Sequence, residues 1–444
     1  MTGRRLRANA SAWCAALAAA FAFIPFIPRL LRAAFTGRRD RERTLGSMRA
    51  GLATRPSDAP TVLARAPRIL LVAGEPSGDL HAADLAAAIL RAAPGASIEG
   101  IGGPRMAAAG VRVATDLVSD PVMGVWPVVR QAPRFFALYR DQLLRFEEDP
   151  PDVVVGVDYP GLNLRLARAA RRRGVPFVEY IAPQVWAWAP WRTRRLARDV
   201  TRVVCILPFE EGIFRAAGTQ ASYVGHPLFE HLAREPRDEA FRTKLREGLG
   251  GAPLVALLPG SRRAEVRGNL PVQIDVAVRI AAARPGARFV IPLAAERLRP
   301  LVEATDRRGV DLVLVPPERS DDAMAAADAA ITVSGTATLH LAAHGTPAVV
   351  IYRASAMGRV LARLLVVSPF IALPNLLCAQ RVLPEFLVGA GDGAKVADAL
   401  LPLLPGGTER EAAVAALAGL RERMTSPGVA DRAARWVLAA ARTT

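Results

Sequence analysis

From Arg68 onward the chain alternates short apolar runs with helical segments, and this alternation limits its fold more than any other feature. The run RILLVAG ends in glycine and precedes GDLHAADLAAAILRAA, whose apolar residues recur at helical spacing. The pair PDVVVGVD and GLNLRLARAARRRG repeats the pattern. Continuous apolar strands that alternate with helices indicate βα units around a parallel sheet buried on both faces.

A charged, glycine-rich stretch over residues 231–252 interrupts the alternation, which then restarts at PLVALLPGS and continues to PAVVIY. The 444 residues also exceed what one ordinary domain encloses. We therefore predict an α/β protein with two doubly wound, Rossmann-like parallel-sheet domains that face a cleft. The predicted parts are an N-terminal extension over residues 1–67, a first domain over 68–235 and a second domain over 236–444 that includes the helical tail.

The N-terminal extension differs from the rest in composition, since it holds twelve arginines and three acidic residues, +9 of the total charge of +17. Residues 8–28 carry no charge and just reach the length that spans a bilayer, although Pro25 and Pro28 interrupt them. Two interpretations stay open: a signal peptide or membrane anchor, or a start codon placed too early, with Met48 as the true start. Residues 44–66 are interpreted as a flexible linker.

Cysteine content and charge narrow the functional classes. The three cysteines lie far apart, without metal or redox spacing, which predicts a reducing compartment and no disulfide framework. The basic balance favours nucleic acid, anionic lipid or phosphorylated substrates as partners. Half of the excess charge lies outside the predicted domains and no RNP-type aromatic platform is present, which argues against RNA binding.

Two turns in the second predicted domain have the residues of phosphate sites. Gly260 and Ser261 follow a strand and Arg262 stands at a helix start, so backbone N–H groups, a hydroxyl and a guanidinium converge. The segment VSGTATLH repeats the arrangement two βα units later, and its candidate residues are Gly335, Thr336, Ala337 and Thr338. Two such turns in one sheet favour a diphosphate ligand, although either alone could be an ordinary turn.

Polar residues also follow strands of the first predicted domain. Asp158 ends a buried strand, where its carboxylate could accept a proton from a hydroxyl, cap the next helix or pair with an arginine. The turn with Glu75, Ser77 and Asp79 opens a helix at an end that favours anions, or is simply a tight turn. It lacks G-x-G-x-x-G, so a dinucleotide site is not indicated.

Three of the six tryptophans, Trp186, Trp188 and Trp191, fall within six residues. Their spacing, after a strand and beside prolines, fits a loop better than one face of a helix. Four arginines follow directly, namely Arg192, Arg194, Arg195 and Arg198. Indoles and arginines of this kind suit a membrane surface with anionic headgroups. Core packing is the alternative, above all for one of the three rings.

Two histidines, His340 and His344, stand four residues apart on one predicted helix. The HExxH pattern is not met and no third ligand is evident, so we predict no metal site. The preceding SDD segment, residues 320–322, is interpreted as a helix cap.

An ordered set of short segments resembles the lipid-A-disaccharide synthase family over about residues 68–390. The set includes GEPSGDLH, GIGGPRM, PDVVVGVDYPGLNLRLA, APQVWAW, LPFEEGIF, YVGHPL, LLPGSRRAEV, SGTATL and LPNLL. The resemblance implies GT-B architecture and an inverting transfer of 2,3-diacylglucosamine from UDP to 2,3-diacylglucosamine 1-phosphate. This reaction forms a β-1,6-linked disaccharide and releases UDP without a metal or other cofactor.

The resemblance also implies roles for individual residues. Asp158 is the candidate base and Arg262 the second catalytic residue, while Gly161 stands where some relatives carry another acid that could be the base instead. His340 stands where relatives often carry a glutamate that holds ribose hydroxyls. The UDP site comprises Gly260, Ser261, Arg262, Gly335, Thr336, Ala337, Thr338 and His340. Acceptor or membrane contacts fall to Glu75, Ser77, Asp79, Gln184, Trp186, Trp188 and Trp191, and Tyr352, Arg353 and Asn375 match cleft positions without an assigned role.

The acyl chains of the implied substrates lie in a bilayer. The resemblance therefore implies a peripheral protein at the cytoplasmic face of the bacterial inner membrane, in contact with anionic lipid and not with nucleic acid, as a monomer or a homodimer. If residues 1–47 are translated, a single N-terminal anchor is added to this picture. Two alternatives stay open: a UDP-sugar 2-epimerase of the same architecture, against which QVWAW counts, and a basic RNA-binding protein.

Overall fold

The structure is a computed structural model that describes residues 41–59, 66–119, 125–188, 192–353, 368–389 and 391–442. The chain divides into two compact units. The first unit contains the chain up to Pro227 and takes it up again at Ser426, and the second contains most of the chain between these points. Each unit is built on a fully parallel sheet, which confirms the predicted α/β class and the two doubly wound domains.

The sheet of the first unit has seven strands in the order β3-β2-β1-β4-β5-β6-β7. They are β1 Arg68–Ala73, β2 Ser97–Gly102, β3 Arg112–Asp116, β4 Val153–Val157, β5 Phe177–Tyr180, β6 Arg202–Cys205 and β7 Ala221–Tyr223. The strand order reverses between β1 and β4. Doubly wound sheets bind ligands at such a switch point, beyond the carboxyl ends of the strands.

The sheet of the second unit has six strands in the order β10-β9-β8-β11-β12-β13. They are β8 Leu254–Leu258, β9 Arg288–Pro292, β10 Leu312–Val315, β11 Ala329–Val333, β12 Ala348–Arg353 and β13 Glu385–Val388. Here the order reverses between β8 and β11, the two strands that precede the turns predicted to bind phosphate.

Eighteen helices are labelled among the described residues, besides three single 3₁₀ turns. They are α1 over residues 41–51, α2 Pro76–Ala92, α3 Pro104–Ala108, α4 Val125–Glu148, α5 Pro160–Arg172, α6 Val185–Trp188, α7 Thr193–Asp199, α8 Pro208–Ala216, α9 Pro227–Arg234, α10 Glu239–Arg246, α11 Arg263–Ala283, α12 Arg299–Glu303, α13 Ser320–Ala326, α14 Ala337–His344, α15 Leu373–Cys378, α16 Gly393–Leu400, α17 Arg410–Met424 and α18 Val429–Ala440. None of the helices in this part of the chain is long and apolar enough to cross a bilayer.

Helices cover both faces of each sheet. In the first unit α2 and α18 pack on the face that presents Leu71 and Val155, and α5 and α7 pack on the face that presents Val154 and Val203. In the second unit α11 and α16 cover one face, and α10, α13 and α14 cover the other. Because successive strand residues enter two different cores, the strands are continuously apolar.

The last helix belongs to the first unit, whereas the sequence assigned the tail to a second domain over residues 236–444. Helix α18 packs along α2 and buries Val429, Ala433 and Val437 in the core of the first sheet. The structure therefore differs from the predicted division in two ways. The chain passes from the first unit to the second between residues 227 and 228 rather than 235 and 236, and from Ser426 onward it belongs to the first unit again.

Part of the predicted linker is ordered against the first unit. Met48 of α1 is buried, and a Cβ on Gly51 would lie 2.7 Å from Phe209 of α8. The Ser57 N–H donates to the Tyr223 carbonyl at 2.8 Å. The interpretation of residues 44–66 as a flexible linker is therefore wrong for residues 44–59. The candidate membrane-spanning segment, residues 8–28, lies outside the described residues.

Candidate active site

Two predicted residues lie at the switch point of the first sheet. Glu75 stands two residues after the end of β1, and Asp158 directly follows β4, the strand beside β1. Asp158 has φ 43°, and Ile181, which follows the adjacent β5, has φ 62°. Left-handed backbone costs a residue other than glycine roughly 1–2 kcal/mol, and it is least tolerated by a β-branched side chain. Backbone strain of this kind concentrates at functional sites, and here it marks two neighbouring strand ends.

The Asp158 side chain is half-buried, and its carboxylate forms no hydrogen bond with any described residue. Burial, and to a lesser extent the negative charge of Glu75, raises the pKa of Asp158 to about 7. The N-cap of α5 is Tyr159 without a side-chain cap, so Asp158 does not cap this helix. A carboxylate whose pKa lies near neutral pH is suited to accept a proton from a hydroxyl.

The turn before α2 divides into exposed and buried residues. Glu75 and Ser77 are exposed, so their side chains are accessible for the predicted acceptor or membrane contacts. Asp79 is buried, and its carboxylate accepts the N–H groups of Gly103 at 2.9 Å, Arg105 at 3.0 Å and Met106 at 3.2 Å. The prediction of an acceptor or membrane contact is therefore wrong for Asp79, because this carboxylate holds the start of α3.

Trp186 is a core residue, which corrects its assignment to the membrane surface. Only 2% of the residue is exposed, and its ring packs edge-on against Phe209, with the centroids 4.9 Å apart. The Trp186 Nε1–H donates to Glu210 Oε1 at 3.1 Å, and the Leu207 N–H donates to Glu210 Oε2 at 3.2 Å. Burial raises the pKa of Glu210 to about 7, although these hydrogen bonds lower it.

The rest of the tryptophan segment is less buried or lies outside the described residues. Val185–Trp188 forms one helical turn rather than a loop, and Gln184 before it is exposed. The Trp188 side chain and Trp191 are not among the described residues. Arg194 and Arg195 on α7 are exposed, whereas Arg198 pairs with Asp199 at 2.6 Å.

Trp186→Phe should lower the free energy of unfolding by about 1–3 kcal/mol, since the buried Glu210 then loses a hydrogen-bond donor. Chemical denaturation measures this loss. Binding to anionic vesicles and UDP affinity should stay unchanged, because the indole does not reach the surface. A variant of unaltered stability that releases from vesicles would show that the ring contacts membrane after all.

The Ser261–Arg262 turn at the end of β8 contains a carboxylate that the sequence analysis missed. Glu265 Oε2 accepts the N–H groups of Ser261 at 3.0 Å and Arg262 at 3.3 Å, and Arg262 Nη1 lies 3.1 Å from Glu265 Oε1. Gly260 has φ 119°, and a Cβ there would clash with Glu265. A phosphate at this turn must therefore replace Glu265 as the partner of these donors.

The second turn, after β11, is more open. Gly335 has φ 151° and Thr336 is exposed, with no atom within 4 Å of a Cβ placed on Gly335. Ala337 begins α14, and the N–H groups of Thr336 and Ala337 form no hydrogen bond with a described residue. The N–H groups of Thr338 and Leu339 are already used, since they donate to the carbonyls of Gly335 and Thr336. Thr338 is buried, and its hydroxyl donates to the Gly335 carbonyl at 2.7 Å. Thr338 therefore shapes the turn, and the N–H groups of Thr336 and Ala337 remain for an anion.

His340 and His344 converge on one carboxylate oxygen. His340 Nδ1 lies 2.7 Å and His344 Nε2 lies 2.9 Å from Asp321 Oδ1. Burial opposes ionisation of Asp321, but these two hydrogen bonds outweigh it and hold its pKa below the usual range. Asp321 therefore binds the histidines of α14. The prediction that the SDD segment caps a helix is wrong, because α13 has no side-chain cap. Within the described residues no three His, Cys, Asp or Glu side chains form a candidate metal site.

The three remaining predicted positions have different surroundings. Tyr352 is exposed at the end of β12, and Arg353 Nη1 donates to the Gly268 carbonyl at 2.6 Å. Asn375 is buried: its amide donates to Leu383 O at 2.8 Å and its Oδ1 accepts the N–H groups of Val382 and Leu383. The prediction of a cleft position is therefore wrong for Asn375, which holds the loop before β13.

Comparison with known proteins gives the family. A family model for lipid-A-disaccharide synthetase matches residues 69–427. The lipid-A-disaccharide synthase of Myxococcus xanthus (strain DK1622) is 41% identical over 376 residues, which cover 84% of this chain and 97% of that protein. The chain belongs to the lipid-A-disaccharide synthase family. The enzyme of that name from Syntrophus aciditrophicus is 39% identical over 372 residues, 82% of this chain and 96% of its own length.

Membership of the lipid-A-disaccharide synthase family makes the chain a glycosyltransferase, as the ordered motifs predicted. Solved structures are similar in fold alone. A UDP-GlcNAc 2-epimerase from Neisseria meningitidis, bound to UDP-GlcNAc, has a TM-score of 0.55 at 11% identity and covers 82% of this chain and 97% of its own. The glycotransferase of kitacinnamycin has a TM-score of 0.54 at 16% identity, with 85% and 100% covered. The GT-B fold is thereby confirmed.

In this member of the lipid-A-disaccharide synthase family, the sequence did not indicate the roles of Glu265, Glu210 and Asp321 as hydrogen-bond acceptors beside predicted site residues. Glu265 stands three residues after the helix N-cap, the position of a capping box, and this spacing could have indicated it. Glu210 has the same spacing after Leu207. The hydrogen bond between Asp321 and His340 joins two helices that only the tertiary structure brings together, so no local sequence pattern predicts it.

Proposed function

We propose that this chain transfers 2,3-diacylglucosamine from UDP to a hydroxyl of 2,3-diacylglucosamine 1-phosphate, which forms the β-1,6-linked lipid A disaccharide and releases UDP. The observation that carries the proposal is the Asp158 carboxylate, half-buried at the switch point of the first sheet and without a hydrogen-bond partner among the described residues. In a single inverting displacement, the oxygen of the acceptor hydroxyl attacks the anomeric carbon of the donor and the bond to UDP breaks. Asp158 accepts the proton of that hydroxyl.

The leaving UDP needs fixed donors where its negative charge develops. We propose that the backbone N–H groups at the start of α14 and the Arg262 guanidinium supply them. Arg262 is half-exposed and already paired with a carboxylate, so binding of UDP exchanges the Glu265 carboxylate for a phosphate. Because these groups provide positive charge at the diphosphate, the proposed mechanism uses no metal ion.

The proposed substrates carry acyl chains, so the chain is proposed to work at the cytoplasmic face of the inner membrane and to contact anionic lipid through α7. The exposed Arg194 and Arg195 support this surface. Arg194→Ala with Arg195→Ala should weaken binding to anionic vesicles by about 1 kcal/mol per arginine, measured by cosedimentation at low salt.

Arg198→Ala is the matched control for this surface, since its guanidinium is already paired with Asp199 on the same helix. Arg198→Ala should weaken vesicle binding much less than the double variant at Arg194 and Arg195. Equal losses from the double variant and the control, or no loss from either, would count against α7 as the contact surface.

Incubation of the chain with both acylated sugars, followed by mass spectrometry, tests the proposed reaction. We expect a disaccharide phosphate and an equal amount of UDP, with and without EDTA, and a β-configured product by NMR. A donor changed only at carbon 2, without disaccharide, would favour the epimerase of the same architecture. Activity that EDTA abolishes and a divalent ion restores would contradict the metal-free mechanism.

A further inference from the structure

A buried pair of polar side chains lies on the sheet face that α5 covers. Glu179 of β5 pairs in register with Gly156 of β4, two residues before Asp158. Asn163 projects from α5 onto the same face, and both Glu179 and Asn163 are fully buried, at 0% exposure. The face around them is otherwise apolar, with Val203 in register with Glu179 on the other side.

Gly156 provides the space for this pair. A Cβ at residue 156 would lie 2.6 Å from Asn163 Nδ2 and 2.9 Å from Glu179 Oε2, closer than any side chain allows. The absence of a side chain on β4 is therefore matched to the two polar groups beside it. An ionised carboxylate in such an apolar site is costly unless it is paired, and no cation among the described residues acts on the Glu179 carboxyl.

The hydrogen-bond inventory of the pair is incomplete in a specific way. Asn163 Nδ2 donates to Glu179 Oε1 at 3.4 Å, while Asn163 Oδ1 and Glu179 Oε2 have no partner among the described residues. Two acceptors cannot satisfy each other. If Oε2 carries a proton, however, it becomes a donor to Oδ1, and the acid and the amide close a ring of two hydrogen bonds.

We propose that Glu179 is held as a neutral carboxylic acid by Asn163, and that this pair is a positioning device for Asp158. The neutral pair fills the space beside β4 and adds no negative charge to that of Glu75 near Asp158. The Asp158 carboxyl can therefore ionise. This role rests on the proposed function of Asp158, whereas the neutral pair does not. Burial raises the pKa of Glu179 well above its usual value, and the charge of Asp158 raises it further.

Infrared difference spectra of the wild-type protein minus Glu179→Gln test the protonation state directly. Between pH 7 and 8 we expect the carbonyl stretch of a protonated carboxylic acid, shifted by ¹³C labelling of glutamate. Other acids, including Glu210, cancel in the difference. A carboxylate band in its place would overturn the proposal whatever the activity of the protein.

Stability gives a second measure of the same proton. The folded state keeps the proton on Glu179 while the unfolded chain releases it above its ordinary pKa, so the folded state binds more protons and its stability falls as pH rises. As pH rises above the ordinary pKa of a glutamate, the unfolding equilibrium constant should rise by up to about tenfold per pH unit, and Glu179→Gln should lack this component. Equal slopes would contradict a neutral Glu179.

The pH profile of kcat/KM tests the positioning role. Glu179→Gln keeps a neutral pair with Asn163, so its profile should match the wild type. Asn163→Asp puts a second acid beside Asp158, and its acid limb should move to higher pH, with a loss of about tenfold at low pH for each unit moved. UDP affinity should not change. A folded Asn163→Asp protein with an unmoved limb would refute the positioning role, while an inactive wild type with the infrared band would refute the proposed function alone.

Discussion

Asp158→Asn is expected to lower kcat by about 10²-fold or more and to leave the affinity for UDP near the wild-type value. Asparagine keeps the shape of the side chain but cannot accept the proton of the acceptor hydroxyl. Gly161, the other position at which the family resemblance implies a possible base, has no side chain to take over. Initial rates with both acylated substrates and calorimetric titration with UDP measure the two effects.

The pH dependence of the wild type provides a further readout for Asp158. Since the carboxylate is the active form and its pKa is raised to about 7, kcat/KM should rise with pH through this value. Asp116→Asn is a matched control, because Asp116 ends β3 of the same sheet and binds Ser119 and Val118 instead. Near-normal turnover of Asp158→Asn would exclude Asp158 as the base.

Arg262→Ala is expected to weaken UDP binding and slow turnover by about 2–3 kcal/mol, which is the usual loss for a charge-assisted contact to a developing negative charge. The loss has two sources here. The guanidinium no longer reaches the diphosphate, and the Glu265 carboxylate stays at the turn without its cationic partner. Donor KM, kcat and UDP affinity measure the effect.

Two further variants separate these sources. Arg267→Ala, one turn along α11 at an exposed position, should leave donor kinetics almost unchanged. Glu265→Gln added to Arg262→Ala should recover part of the lost affinity, because the repulsion disappears. If Arg262→Ala folds and retains wild-type donor kinetics, the diphosphate is bound elsewhere.

The two sheets and their strand ends could be predicted because local sequence patterns specify them. Apolar runs specify strands buried on both faces, and helices that alternate with them enforce parallel pairing. Asp158, Ser261 and Gly335 could therefore be placed at strand ends before any coordinates. The structure adds the surroundings of these residues, such as the burial that raises the pKa of Asp158 and the Glu265 carboxylate that accepts the Ser261 N–H.

The remaining features depend on which surfaces meet across the fold. The indole N–H of the buried Trp186 donates to Glu210, which lies 24 residues away in the sequence. Without this contact, the local sequence does not distinguish a buried indole from one at a membrane surface. Asn375 is consumed by its own loop in the same way. The docking of α18 follows from its apolar face, which would fit either core by composition alone.

The return of α18 to the first unit has a consequence for synthesis of the protein. The core around β1 and α2 lacks the cover of α18 until residues 429–440 have left the ribosome, although most of that unit is translated long before. The intervening unit lies in one nearly continuous stretch, so it has all of its chain earlier. The first unit is thus the last to be completed, and a nascent chain exposes the part of the apolar sheet face that α18 covers while the second unit is translated.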